Sequence, residues 1–135
     1  MSEAPAKPAP TPTGETRGYW DGCRAGELRL QRCARCAHVQ LPPRRFCGGC
    51  LGDDLRWERA SGRGVVRSWS VVRFPLSAAF AADAPYVVAL IRLEEGPTLM
   101  AGLRCDPDEA SIGAAVEVEF ERRTEEIHVP YFRLR

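Results

Sequence analysis

Two cysteine pairs, Cys33-Ala-Arg-Cys36 and Cys47-Gly-Gly-Cys50, stand ten residues apart and constrain this chain more than any other feature. Each pair can turn two thiolates toward one point, and two such knuckles at this distance can close a tetrahedral shell around a single ion. Zn2+ suits the shell because it has no redox chemistry and accepts four sulfurs. An all-cysteine site leaves no position open for catalysis, so its contribution is folding free energy. The expectation is a structural zinc ribbon with Cys33, Cys36, Cys47 and Cys50 as ligands. Two disulfides, or thiols spaced this way by chance, are the competing reading. Cys23 and Cys105 fall outside the knuckles and read as ordinary reduced thiols.

With 135 residues, 44% hydrophobic and 27% charged, the chain has room for one small domain or two very small ones. A ribbon of this size builds little core by itself, and the metal replaces the missing apolar burial. Residues 1–15 are rich in Pro, Ala and Thr and lack the apolar centre of a signal peptide, and no stretch is long and apolar enough to span a bilayer. Six cysteines in that context point to a reducing cytoplasm, where metal binding prevails over disulfides. Charge is unevenly shared: residues 1–75 hold 13 Lys or Arg against 7 Asp or Glu, and residues 76–135 hold 6 against 11. Much of the basic excess is arginine on or beside the ribbon, including Arg29, Arg32, Arg35, Arg44 and Arg45. Their forked guanidinium groups suit phosphates and carboxylates, the alternative being a solvated face.

Three segments follow. Residues 1–15 read as a disordered, extended Pro/Ala-rich lead or linker. Residues 16–60 carry a short helix over about 15–26, with Thr13 or Thr16 near its start and Gly26 at its end, and then the ribbon. Tyr19, Trp20 and Cys23 share one side of that helix, where they either pack within the chain or meet a partner. Residues 61–135 change to strands: Gly64–Phe74, Tyr86–Leu93, Thr98–Arg104, a strand with Val116, Val118 and Phe120 alternating with Glu117, Glu119 and Glu121, and Ile127–Leu134. Pro130 cannot donate to a ladder and marks an edge or bulge. The alternating glutamates mark a wet face. Five strands without a long helix suggest a small closed barrel, with an OB-fold leading and another five-stranded topology open. Pro75–Pro85, around Phe80, reads as a loop, with a helical turn or a mobile cover over a ligand as alternatives.

Catalytic machinery is not legible. His38 and His128 are the only histidines. Nucleophile-elbow, zinc-protease and phosphate-loop motifs do not occur. His38 lies between the knuckles, but four cysteines already complete a shell. Ser61-Gly62-Arg63-Gly64 opens no helix and suits the bend between ribbon and barrel.

The order of features is more specific than any one of them: the Tyr19-Trp20 helix, Leu30-Gln31-x-Cys33-x-x-Cys36, Leu41-Pro42-Pro43-Arg44, Cys47-x-x-Cys50, Gly62-x-Gly64-x-Val66-x-Ser68-Trp69-Ser70-Val71, Ala84-Pro85-Tyr86-Val87-Val88-Ala89-Leu90 and Glu94-Glu95-Gly96. Over residues 16–134 this resembles the family that joins a rubredoxin-like zinc ribbon to a C-terminal OB-fold. The resemblance implies a non-catalytic accessory subunit that binds and stabilises a thiolase-like acyl-CoA enzyme, a thiolase or a steroid side-chain retro-aldolase, and helps form its acyl-CoA path. It further implies a complex of two plus two chains and a setting in steroid or lipid catabolism. In actinobacterial members the module is fused behind an enoyl-CoA hydratase, which the lead resembles as a tether. In archaeal members it bridges a thiolase and a synthase. Candidate contacts are Tyr19, Trp20 and Phe80 for the partner and Arg35, Arg44 and Arg45 for coenzyme A phosphates. The alternative is a single-stranded nucleic-acid-binding ribbon and barrel. A barrel half of net −5 counts against it, from 6 basic and 11 acidic residues.

Overall fold

The computed structural model describes residues 5–135; the first four residues of the expected lead lie outside them. Residues 5–13 have no regular structure, but Lys7 and Pro8 contact the barrel through Asp83 and Arg123. Thr13 and Thr16 bond to each other through their hydroxyls at 3.1 Å, building a turn. The helix α1 (Arg17–Arg24) starts after it, two residues later than about 15. Gly26, at φ 80°, lies just past its Ala25 cap. Eight residues are too few for a helix to hold in water alone, so tertiary packing sustains α1. Tyr19, Gly22 and Cys23 are buried, and the helix lies on the ribbon and on the end of the barrel.

The ribbon is a three-stranded antiparallel sheet of β1 (Arg29–Cys33), β2 (Val39–Gln40) and β3 (Leu55–Arg59), in the order β2-β1-β3. Leu28 and Leu30 are fully buried beside it. A Cβ at Gly18 would collide with the Trp57 indole of β3, so the absence of a side chain there lets helix and sheet meet.

The other five strands close a barrel: β4 (Arg63–Val72), β5 (Tyr86–Leu93), β6 (Thr98–Arg104), β7 (Ala115–Arg122) and β8 (His128–Leu134), in the order β4-β5-β6-β8-β7. All neighbours are antiparallel except β6 and β8, whose parallel ladder joins Gly102–Arg104 to Tyr131–Arg133. This is the mainly-β, five-stranded Greek-key barrel of an OB-fold. β4 pairs with both β5 and β7, and a register shift between Val66 and Ser68 gives it the bend to do so. Pro130 is the residue before the β6 ladder begins, a position where its missing N–H costs no bond to β6. Val66, Ile91, Val116 and Phe132 are fully buried and share one continuous core with Tyr19, Leu28 and Leu30.

Two elements depart from the sequence pattern. Pro75–Pro85 is not a plain loop: Ala78–Asp83 form a 3-10 helix, whose start is capped by the Ser77 hydroxyl accepting from the Ala79 N–H at 3.3 Å. A second 3-10 turn, Pro107–Glu109, follows β6, with the Glu109 carboxylate accepting from the Asp106 N–H. The alternating glutamates of β7 are partly buried and paired. Arg104 reaches Glu119 and Glu121 at 3.1 and 2.9 Å, and Arg133 reaches Glu117 at 2.6 Å.

Candidate functional site

Both knuckles use the same backbone geometry. The N–H of Ala37 donates to the carbonyl of Cys33, and that of Leu51 to the carbonyl of Cys47, each at 2.9 Å. Ala37 and Leu51 adopt φ 66° and 63°, a left-handed step that is costly for a residue with a Cβ. Backbone N–H groups also point at sulfur, from Arg35 to Cys33 at 3.4 Å and from Gly49 to Cys47 at 3.2 Å. The result brings Cys33, Cys36, Cys47 and Cys50 together, with their Sγ atoms all within 4.8 Å of one another.

Cys33 and Cys50 sulfurs stand 3.6 Å apart and those of Cys36 and Cys47 3.5 Å. A disulfide needs about 2.05 Å. Four sulfurs about 2.3 Å from one zinc ion would be separated by about 3.8 Å, close to the observed spacing. The thiols show the same fit electrostatically. For Cys47, burial favours the neutral thiol, but the N–H groups of Cys50 and Gly49 and the nearby sulfurs outweigh it, bringing the pKa down to about 6. Cys33 is also lowered, chiefly by the Cys36 N–H. Cys36 receives the His38 N–H, which favours its thiolate, yet Cys47, burial and the other sulfurs push it up to about 12. Four thiolates this close need a cation between them, which zinc supplies. His38 is exposed and is not drawn into the cluster.

A buried glutamine pair supports the second knuckle. Gln31 on β1 and Gln40 on β2 are cross-strand partners, and the Gln40 Nε2 donates to Gln31 Oε1 at 2.9 Å. Gln31 also clasps Arg44 at both ends of its peptide unit, accepting from its N–H and donating to its carbonyl, each at 2.9 Å. Gln40 donates to the Phe46 carbonyl and accepts from the Gly48 N–H at 2.8 Å. The loop that presents Cys47 and Cys50 is therefore tied to the sheet by side-chain amides. In the sequence, the one signal for this role is that Gln31 and Gln40 stand directly beside the apolar residues Leu30, Val39 and Leu41.

The three candidate partner residues converge. Tyr19, Trp20 and Phe80 line one groove of about 600 Å3 on the barrel face formed by β5, β6 and β8. Tyr19 is itself buried, stacked edge-on against Trp20 at 5.0 Å, and burial next to Cys23 raises its hydroxyl pKa. Trp20 and Phe80 keep partial exposure. Tyr86, Met100, Arg104, Arg123 and Tyr131 also line the groove and were not foreseen. Tyr131 lies over Gly102, where a Cβ would come within 2.6 Å of the ring, and the Arg104 guanidinium stacks on the ring at 4.2 Å from its centroid.

Arg35, Arg44 and Arg45 are exposed. Arg44 and Arg45 share a second, shallow groove with Trp57, Glu15 and Asp53, whereas Arg35 sits on the first knuckle outside it. No helix among the described residues is long and apolar enough to cross a membrane.

Comparison with known proteins follows this division of the chain. The ChsH2 rubredoxin-like zinc ribbon domain model matches residues 20–56, and the ChsH2 C-terminal OB-fold domain model matches residues 57–121. A DUF35 domain-containing scaffold protein of Methanothermobacter thermautotrophicus is 38% identical over 101 residues, covering 73% of this chain and 75% of that protein. The chain belongs to the ChsH2/DUF35 family. A probable enoyl-CoA hydratase alpha subunit of Thermomonospora curvata is 33% identical over 128 residues, 94% of this chain. The chain spans only 40% of that relative's length. Among solved structures, this DUF35 fold superposes on a chain of the Ltp2-ChsH2(DUF35) aldolase with a TM-score of 0.84 and 32% identity, covering 93% of this chain and 98% of the other.

Proposed function

We propose that the chain is a non-catalytic accessory subunit that binds and stabilises a thiolase-like acyl-CoA enzyme and helps form its acyl-CoA path. The observation that carries this reading is the near-complete likeness to a chain of the Ltp2-ChsH2(DUF35) aldolase, which leaves almost no part of either chain unmatched. The hydratase and scaffold names of its relatives support the same class of partner. Cys33, Cys36, Cys47 and Cys50 hold a structural Zn2+, which fixes the ribbon against α1 and so fixes one wall of the aromatic groove. Trp20 and Phe80 offer half-exposed aromatic surface on that groove, the kind of anchor that dominates protein interfaces. Arg35, Arg44 and Arg45 attract coenzyme A phosphates. The finer reading is two copies of this chain flanking a dimeric thiolase or retro-aldolase of steroid or lipid catabolism in the cytoplasm.

Co-expression of the chain with a thiolase-superfamily enzyme from the same organism tests this. Native mass spectrometry is expected to show a two-plus-two complex, with the partner losing activity and solubility when expressed alone. A partner that is stable and fully active by itself sinks the accessory role. A salt-dependent shift with single-stranded oligonucleotides, and none with the enzyme, would favour the nucleic-acid reading instead.

A further inference from the structure

The lead is seated on the barrel. Lys7 Nζ lies 2.7 Å from Asp83 Oδ2 and 5.6 Å from the centroid of the Phe80 ring. The Pro8 carbonyl accepts from Arg123 Nη1 at 2.9 Å. Arg123 is otherwise fixed in place, donating to Glu121 at 3.0 Å and to the Tyr131 hydroxyl at 2.7 Å, with only 9% of its side chain exposed. The one main-chain acceptor it takes from outside the barrel belongs to the lead. Lys7, Ala9, Pro10 and Pro12 are half-buried, while Pro5, Ala6, Pro8 and Thr11 face solvent.

Prolines at 5, 8, 10 and 12 bias this segment to an extended polyproline helix, which pays little entropy on docking. Such helices dock in grooves lined by aromatic side chains. Here Trp20, Phe80, Tyr86 and Tyr131 line the groove, and at its Phe80 end Lys7 is part of the lining beside Asp83, so the lead borders the groove and leaves its volume open. β6 and β8 pair only over Gly102–Arg104 and Tyr131–Arg133, and Gly102, Arg104 and Tyr131 of that ladder line the groove. Met100 and Ala101 on one side, and Val129 and Pro130 on the other, line the groove beyond that ladder.

We propose that the Phe80 end of this groove is a recognition site for an extended, proline-rich, cationic segment, that the chain's own lead is held there through Lys7 and Pro8, and that the lead competes with the thiolase-like partner for it. Only the competition rests on the function proposed above. The seat of the lead at the Phe80 end stands on the contacts of Lys7 and Pro8. The strap is held by a partly exposed ion pair, the Lys7 cation over the Phe80 ring and one main-chain bond, few enough contacts for it to be displaced.

A charge swap in the full chain decides both halves. Lys7→Glu and Asp83→Lys are each expected to shift the NMR signals of the Phe80 and Tyr86 rings and of the Arg123 Nε–H, and the double variant K7E/D83K to restore them. Spectra of K7E identical to wild type at those positions would overturn the seated lead. In binding measurements with the partner, K7E should tighten affinity about two- to fivefold and the swap should return it, as expected for releasing a partly exposed ion pair. Unchanged or weaker affinity overturns the competition. If no thiolase-like enzyme binds any variant, the proposed function fails while the NMR comparison still decides whether the lead is seated at the Phe80 end.

Discussion

The ribbon and the barrel reach rigidity by different means. The barrel needs no ion: its strands satisfy one another around a closed ladder, and Val66, Val87, Ile91, Val116 and Phe132 fill it at 0–1% exposure. The ribbon has a two-residue strand at one edge, a five-residue strand at the other with mostly exposed side chains, and few apolar groups beyond Leu28, Leu30 and Leu41. It replaces the missing core with four sulfurs and two buried amides. The contrast shows that a small β-unit can be held either by hydrogen-bond closure over an apolar interior or by a few directional bonds at one point. The second solution gives up tolerance to substitution, because each bond lost has no neighbours to share the load.

The sharpest break between the two comes from Cys47→Ser. It removes the thiolate that the Cys50 and Gly49 N–H groups and the nearby sulfurs favour against burial, and zinc binding in such sites is worth on the order of 10 kcal/mol or more. Zinc content should fall from one ion per chain toward none, and hydrogen exchange should accelerate across β1 to β3 while β5 and β6 stay protected. The continuous core through Tyr19, Leu28 and Leu30 predicts some loss in the barrel too, so an unchanged melting temperature would show the two units to be independent. Phe132→Ala provides the reverse test. It empties the centre of the barrel and should cost about 3–5 kcal/mol, with zinc content unchanged.

Gln40→Ala probes the ribbon without touching a ligand. It removes the acceptor of the Gly48 N–H, the side-chain donor to the Phe46 carbonyl and one of the two donors to Gln31 Oε1, at about 1–3 kcal/mol in all. The informative readout is zinc affinity: weaker binding with all four cysteines intact would show that the amide pair positions the second knuckle. Equal affinity would reduce the pair to sheet packing.

What the sequence discloses follows the range of each interaction. The knuckles were legible because metal ligands come in close pairs along the chain, and the strands because Val116, Val118 and Phe120 alternate against glutamates. Closure was legible only as a fold class, since the parallel ladder of Gly102 with Tyr131 joins residues far apart in sequence. The role of Gln31 was hidden, because a glutamine reads as a surface residue until the Gln40 amide and the Arg44 peptide are seen around it. The 3-10 helix at Ala78–Asp83 is too short and too rich in alanine to show a period. The contacts of the lead were hidden for another reason: a free tether and a docked segment have the same composition, and only Asp83 and Arg123 reveal where Lys7 and Pro8 touch the barrel.

The smallest expected effect lies on the barrel surface, at Arg104. Its guanidinium touches Glu119, Glu121 and the Tyr131 ring, which looks like a strong constellation, yet its side chain is 41% exposed. Solvent screening reduces exposed pairs to about 0.2–1 kcal/mol, and a cation over an exposed ring adds about 0.5–1 kcal/mol. Arg104→Ala should therefore cost about 1–2 kcal/mol, well below Phe132→Ala. About 1 M NaCl should narrow the gap to wild type by weakening the ionic part and leaving most of the ring contact. Zinc content should not change. A loss as large as that at Phe132 would mean the groove wall is part of the barrel's core, and the division between a barrel held by burial and a ribbon held by points would have to be redrawn.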